Sequence, residues 1–119
     1  MYFENIRPTD IFRQRRNGTG MLIDLRTREE FGKGHIPGAV CIPYEELKNQ
    51  IPGLRQWAMR CTGRYGRAVL IVYCDRGNTS LRAARDLDRE GFIVKNVYGG
   101  ISSYRGPVIS TVDGTGKSR

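Results

Sequence analysis

The chain has 119 residues, 39% hydrophobic and 27% charged, with a formal net charge of +8. That length fits one domain with a real core, and no apolar run approaches the ~20 residues that cross a bilayer. Three cysteines, Cys41, Cys61 and Cys74, and the single histidine, His35, fall at no zinc or redox-pair spacing, which argues against a disulfide framework and a structural metal. The start of the chain lacks the basic, apolar and small-residue segments of a secretory signal, so a cytoplasmic location is expected. The positive charge raises nucleic acid as a partner, but the arginines are scattered and acids interleave with them, so attraction of small anions is the reading preferred.

In chain order, Pro8, Thr9 and Asp10 open a short helical pattern through Ile11 and Phe12, closed by Asn17 and Gly18. Residues 21–25, "MLIDL", form a short apolar run that reads as a buried strand with Asp24 at its carboxyl end. Thr27 can cap one or two helical turns before Gly32 and Gly34 stop them. Pro37 and Gly38 make a turn before a strand at 39–42, where Cys41 is expected to be buried. Pro43 then starts a helix through Tyr44, Leu47 and Lys48, and a second short helical piece is expected around 54–59. Gly63 and Gly66 loosen the chain and leave Cys61 in a surface turn.

Residues 68–73, "AVLIVY", are apolar on both faces, as expected of a central parallel strand. Residues 79–90 form an amphipathic helix with Leu81, Ala84 and Leu87 on one face and an Arg82–Asp86 pair toward solvent, ended by Gly91. "FIVKNV" is a further strand. Strands alternating with helices in this way predict an α/β domain with a mainly parallel sheet. The domain is placed at residues 1–109, followed by a disordered tail at 110–119 rich in Ser, Thr, Gly and Lys.

Cys74 follows the central strand directly, in "LIVYCDRGNTS". In open parallel sheets ligands bind outside the carboxyl ends of strands, and the amides and positive end of the following helix would stabilise negative charge on its sulfur. Gly77 permits positive φ, so successive amides can turn inward as an anion nest. Arg76 can pair with an anionic substrate, while Asn78, Thr79 and Ser80 offer neutral donors and a helix cap. Asp75 opposes an incoming anion unless its side chain points away or pairs with Arg76.

These segments resemble the rhodanese-like sulfurtransferase domain, single-domain type. The likeness rests on "DLRTREEFGKGHIPGA" (24–39), the loop "CDRGNTS" and "YGGISSY" (98–104), with Tyr104 where tryptophan is commoner. The resemblance implies an open, mainly parallel five-stranded sheet with helices on both faces. It also implies that Cys74 takes sulfane sulfur from thiosulfate or a similar small anionic donor, holds it as a persulfide, and passes it to a thiol or protein acceptor. Residues 75–80 would bind the substrate, and Asp24 and Arg26 would buttress the loop, with Glu30 as Arg26's partner. No cofactor or metal is implied, and a monomer without membrane or nucleic-acid partners is expected. His35 matches a structural turn rather than a general base, and Trp57, Tyr98 and Tyr104 are read as packing aromatics.

Two other functions are weighed. A cysteine phosphatase or arsenate reductase of related fold needs an arginine six positions after the cysteine, where this chain has Ser80. A sulfur-relay module serving one partner protein, with little thiosulfate activity, is encouraged by Asp75.

Overall fold

A computed structural model describes residues 3–15, 20–61 and 68–111. Five strands form one sheet: β1 (Glu4–Ile6), β2 (Gly20–Asp24), β3 (Val40–Cys41), β4 (Val69–Tyr73) and β5 (Ile93–Val97). Their spatial order is β1-β5-β4-β2-β3, and every pairing is parallel. The helices are α1 (Ile11–Gln14), α2 (Arg28–Lys33), α3 (Leu47–Cys61) and α4 (Asn78–Arg89), with single 3-10 turns at Pro8–Asp10, Tyr44–Glu46 and Gly100–Ser103. This is the open α/β architecture expected, and the elements that the chain's hydrophobic pattern does not reveal are the edge strand β1 and the 3-10 turn at Gly100–Ser103.

The all-apolar β4 is explained by burial on both faces. Leu70, Val72 and Cys74 point into a core shared with α3 and α4, through Leu47, Leu54, Ala83, Ala84 and Leu87. Ile71 and Tyr73 alternate into a second core with Ile6, Ile11, Leu22, Ile36 and Val97.

The helical expectations after Pro43 need correction. One continuous helix, α3, runs through Pro52 where two pieces were expected, and it carries Cys61 as its last residue rather than in a turn. Proline removes one donor to the preceding turn. Burial outweighs that loss, because Leu47 and Leu54 are buried, and Ile51, Trp57 and Ala58 pack on the same core. Cys41 is half-buried rather than fully so. Leu81 is half-buried, and the buried face of α4 is Ser80, Ala83, Ala84 and Leu87. The closure of the first helix at Asn17 and Gly18, and the glycines 63 and 66, lie outside the described residues. So does the tail from 112 onward, whereas Thr111 still donates its amide to the Gly32 carbonyl at 2.8 Å.

The topology locates a crevice. After β2 the chain moves outward to β3, and after β4 it moves the opposite way to β5. The carboxyl ends of the neighbouring strands β2 and β4 therefore flank a switch point, where loops diverge and leave room for a ligand. Asp24 ends one strand, and Cys74 follows the other. Among the described residues, no helix is long and apolar enough to cross a membrane.

Candidate active site

Cys74 lies at this switch point, 5% exposed, against a cavity of about 700 Å³. The turn behind it bends back on itself because Gly77 adopts φ +109°, a conformation costly for any side-chain-bearing residue. The bend aims two amides at the sulfur: Gly77 N–H donates to Sγ at 3.1 Å, and Ser80 N–H donates at 3.3 Å. The buried Ser80 hydroxyl lies 3.4 Å from Sγ and donates to the Gly77 carbonyl at 3.2 Å. A thiol can donate to that hydroxyl oxygen, and a thiolate can receive its proton after rotation, so the oxygen suits both states. Since Asn78 begins α4, its positive end adds to the amides.

The loop residues thus divide. Gly77 and Ser80 touch the sulfur, while Asp75, Arg76, Asn78 and Thr79 line the cavity. The 3-10 turn at Gly100–Ser103 braces this loop from outside. Ile101 N–H donates to the Cys74 carbonyl at 2.9 Å, and Ser102 N–H donates to that of Asp75 at 3.0 Å. Gly100, at φ +62°, lies so close that a β-carbon there would overlap both carbonyl oxygens. The second glycine of "YGGISSY" is therefore a close-approach requirement.

Asp24 and Arg26 form a buried ion pair beneath the cavity. The Arg26 Nη2 donates to Asp24 Oδ2 at 2.8 Å and to the Gly34 carbonyl at 2.6 Å, and its backbone amide donates to Asp24 Oδ1 at 2.9 Å. The Tyr73 hydroxyl completes the set by donating to Asp24 Oδ2 at 2.6 Å and accepting from Ile36 N–H at 3.2 Å. Asp24, not Glu30, is thus Arg26's direct partner. Glu30 instead caps α2: its carboxyl accepts from Thr27 N–H at 3.1 Å, and the Thr27 hydroxyl accepts from Glu30 N–H at 3.1 Å. The Thr27 amide holds the Glu30 carboxyl below its ordinary range.

Of the two ways that could blunt Asp75, pointing away or pairing with Arg76, neither is what the structure shows, since its ion pair is with Arg26. Its carboxyl oxygen stands 3.8 Å from Arg26 Nη1, and Glu30 shares the cavity wall with it. Partial burial, then the charge of Glu30, push the Asp75 carboxyl above its ordinary range.

The remaining expectations separate cleanly. His35 is buried, stacks on the Phe31 ring at 3.7 Å and places Nδ1 2.8 Å from the Phe31 carbonyl, a structural position away from the sulfur's contacts. Trp57 is half-buried against the core, and Tyr104 is half-buried with its hydroxyl donating to Pro107 at 2.8 Å. Tyr98, just past the end of the inner strand β5, is 70% exposed and packs in neither core. Sequence reading missed Tyr73, whose role depends on lying opposite Asp24 in the β4–β2 register. It also missed the cavity walls Leu25, Pro43, Tyr44 and Glu45. Among the described residues no cluster of His, Cys, Asp or Glu could hold a metal ion.

The chain is 34% identical over 103 residues to an HTH-type transcriptional regulator of Mycobacterium tuberculosis, covering 84% of this chain and 41% of that protein. It spans less than half the length of that relative. Over 87 residues it is 33% identical to Thiosulfate sulfurtransferase 16, chloroplastic, of Arabidopsis thaliana, covering 69% of this chain and 71% of that one. The crystal structure of a Bacillus halodurans protein superposes with a TM-score of 0.68 at 28% identity, covering 92% of this chain and 77% of that one. The model of the rhodanese-like domain matches residues 9–106, which contain the sulfur cradle, the Asp24–Arg26 pair and the Gly100 brace together. By that match the chain belongs to the rhodanese-like domain family.

Proposed function

We propose that this chain is a sulfurtransferase that carries sulfane sulfur on Cys74, accepting it from thiosulfate or a similar donor. The observation that carries the reading is the sulfur at the floor of a cavity with two amides on it, at 3.1 and 3.3 Å. The Cys74 thiolate attacks the outer sulfur of the donor, an Sγ–S bond forms, the donor's S–S bond breaks, and sulfite leaves with the electron pair. The persulfide anion stays near the amides of Gly77 and Ser80, whose fixed dipoles need no reorganisation as charge moves outward. A thiol, a protein cysteine or cyanide then removes the sulfur and restores Cys74. The buried Asp24–Arg26–Tyr73 set positions the loop without touching the sulfur.

Two observations bear on the alternatives. Ser80, at the position where a phosphatase would use arginine, donates its amide to the sulfur and sets its hydroxyl oxygen 3.4 Å from it, which supports sulfur chemistry over phosphoryl chemistry. The Asp75 and Glu30 carboxyls that line the cavity favour relay to a dedicated partner as the second reading. Turnover of thiosulfate with cyanide, glutathione and thioredoxin as acceptors tests both. Activity in the wild type that disappears in Cys74→Ser supports the sulfurtransferase. Equal activity in the two proteins contradicts it, and discharge to thiols with very slow cyanide turnover favours the relay.

A further inference from the structure

The Cys74 cavity has an acidic lining on a basic protein. The chain carries a formal +8, yet the cavity is lined by three carboxyl side chains, Glu30, Glu45 and Asp75, against two guanidiniums, Arg26 and Arg76. Arg26 has little to offer a ligand. Its Nε and Nη2 are committed to Asp24 and Gly34, and Nη1 faces Asp75 at 3.8 Å. Arg76 is the other cation at the mouth, and it stands beside Asp75 in the chain. The overall charge attracts anions to the molecule, but the field at the mouth opposes a second negative charge on whatever enters. The cavity is also wide for a small inorganic anion, and Leu25, Pro43 and Tyr44 give one side an apolar surface that suits carbon.

We infer that Asp75 is a specificity-determining residue that selects organic sulfane donors with at most one negative charge over the thiosulfate dianion. This rests on the Cys74 sulfurtransferase reading above and names its donor class. For a thiosulfonate donor the step is balanced without any oxidant or proton. The Cys74 thiolate attacks the outer sulfur, the Sγ–S bond forms, the donor's S–S bond breaks, and a sulfinate leaves with the electron pair.

Methanethiosulfonate and thiosulfate are the probe pair, since they differ by a methyl group in place of one charged oxygen. Single-turnover loading of the reduced protein is followed by intact mass, at low salt and mildly alkaline pH, so that no acceptor enters the measurement. Wild type is expected to load methanethiosulfonate faster. Removing the Asp75 charge in Asp75→Asn is expected to speed thiosulfate about tenfold and methanethiosulfonate about threefold, the Coulomb effect in water at an assumed separation of about 6 Å, since that energy scales with donor charge. Added salt should shrink both gains, and Glu45→Gln, a second charge removal on another wall, should act in the same direction. Loading of both donors with Asp75→Asn changing them equally, or not at all, overturns this assignment. Failure of both donors to load the wild type overturns the sulfurtransferase reading itself, and this inference with it.

Discussion

The Tyr73 hydroxyl donates to the Asp24 carboxylate at 2.6 Å across the β4–β2 junction, directly beneath the loop that carries Cys74. Asp24 is fully buried and also bears the Arg26 guanidinium and backbone amide, so three polar groups depend on one carboxylate. Asp24→Ala leaves a cation and a hydroxyl without their partner and is expected to cost about 3–5 kcal/mol. Tyr73→Phe removes one charge-assisted hydrogen bond and should cost about 1.5–3 kcal/mol. Denaturant melts of the two variants give the comparison; a smaller loss for Asp24→Ala than for Tyr73→Phe would contradict this arrangement.

Tyr73 also predicts how stability changes in alkali. Burial, followed by the Asp24 charge and hydrogen bond, pushes its pKa above the ordinary value of 10.0. The folded protein keeps this proton at pH values where the unfolded chain has lost it. Its contribution is therefore full below about pH 10 and declines as pH rises above that value. Unfolding free energy measured from pH 8 to 11 should fall more steeply in wild type than in Tyr73→Phe. Parallel curves would count against a raised Tyr73.

Gly100 tests the brace on the sulfur loop. A methyl group there meets the Cys74 and Asp75 carbonyl oxygens, and φ +62° disfavours any side chain. Gly100→Ala should lose about 1–3 kcal/mol of stability through strain. Sulfur loading should fall on the order of 10²-fold, because the loop must shift by a fraction of an ångström or more. Normal loading kinetics in this variant would show that the brace does not position Cys74.

Ser80→Ala keeps the amide at 3.3 Å but removes the hydroxyl at 3.4 Å. Hydrogen bonds to charged groups are worth about 1.5–3 kcal/mol, so loading should slow by about tenfold or more. Ser80→Gly should lose loading to the same extent, since both lack the hydroxyl. An unchanged rate in both would remove the hydroxyl from the account.

Much of this site is local in sequence. Cys74, Gly77 and Ser80 lie within one strand-to-helix turn, so the apolar run, the glycine and the helix start were enough to place the sulfur. The Thr27 and Glu30 capping box is local for the same reason. What escaped were relations set by parallel register and loop crossing. Tyr73 opposite Asp24, Asp75 against Glu30 and Arg26, and Gly100 behind Cys74 each join segments brought together only by the β2–β4–β5 pairing. The continuous α3 escaped for another reason: Pro52 signals a break locally, and the apolar stripe it interrupts is rewarded only after the core forms.

The geometry also bears on the other two thiols. Cys41 lies two strands from β4, level with Tyr73, at roughly 10 Å by strand spacing. Cys61 ends a helix of 15 residues, about 22 Å long, whose first turn is near the cavity. A disulfide needs α-carbons within about 7 Å, so neither is placed to resolve a Cys74 persulfide within the same molecule. Cys41→Ser with Cys61→Ser should leave single-turnover loading unchanged within about twofold by the same distance criterion.

Intact-mass measurement of the reduced protein after incubation with a sulfane donor tests the central claim most directly. The account predicts a gain of one sulfur on the wild type, reversed by cyanide or a thiol and absent in Cys74→Ser. No gain on the wild type with thiosulfate or methanethiosulfonate, or the same gain in Cys74→Ser, would contradict it.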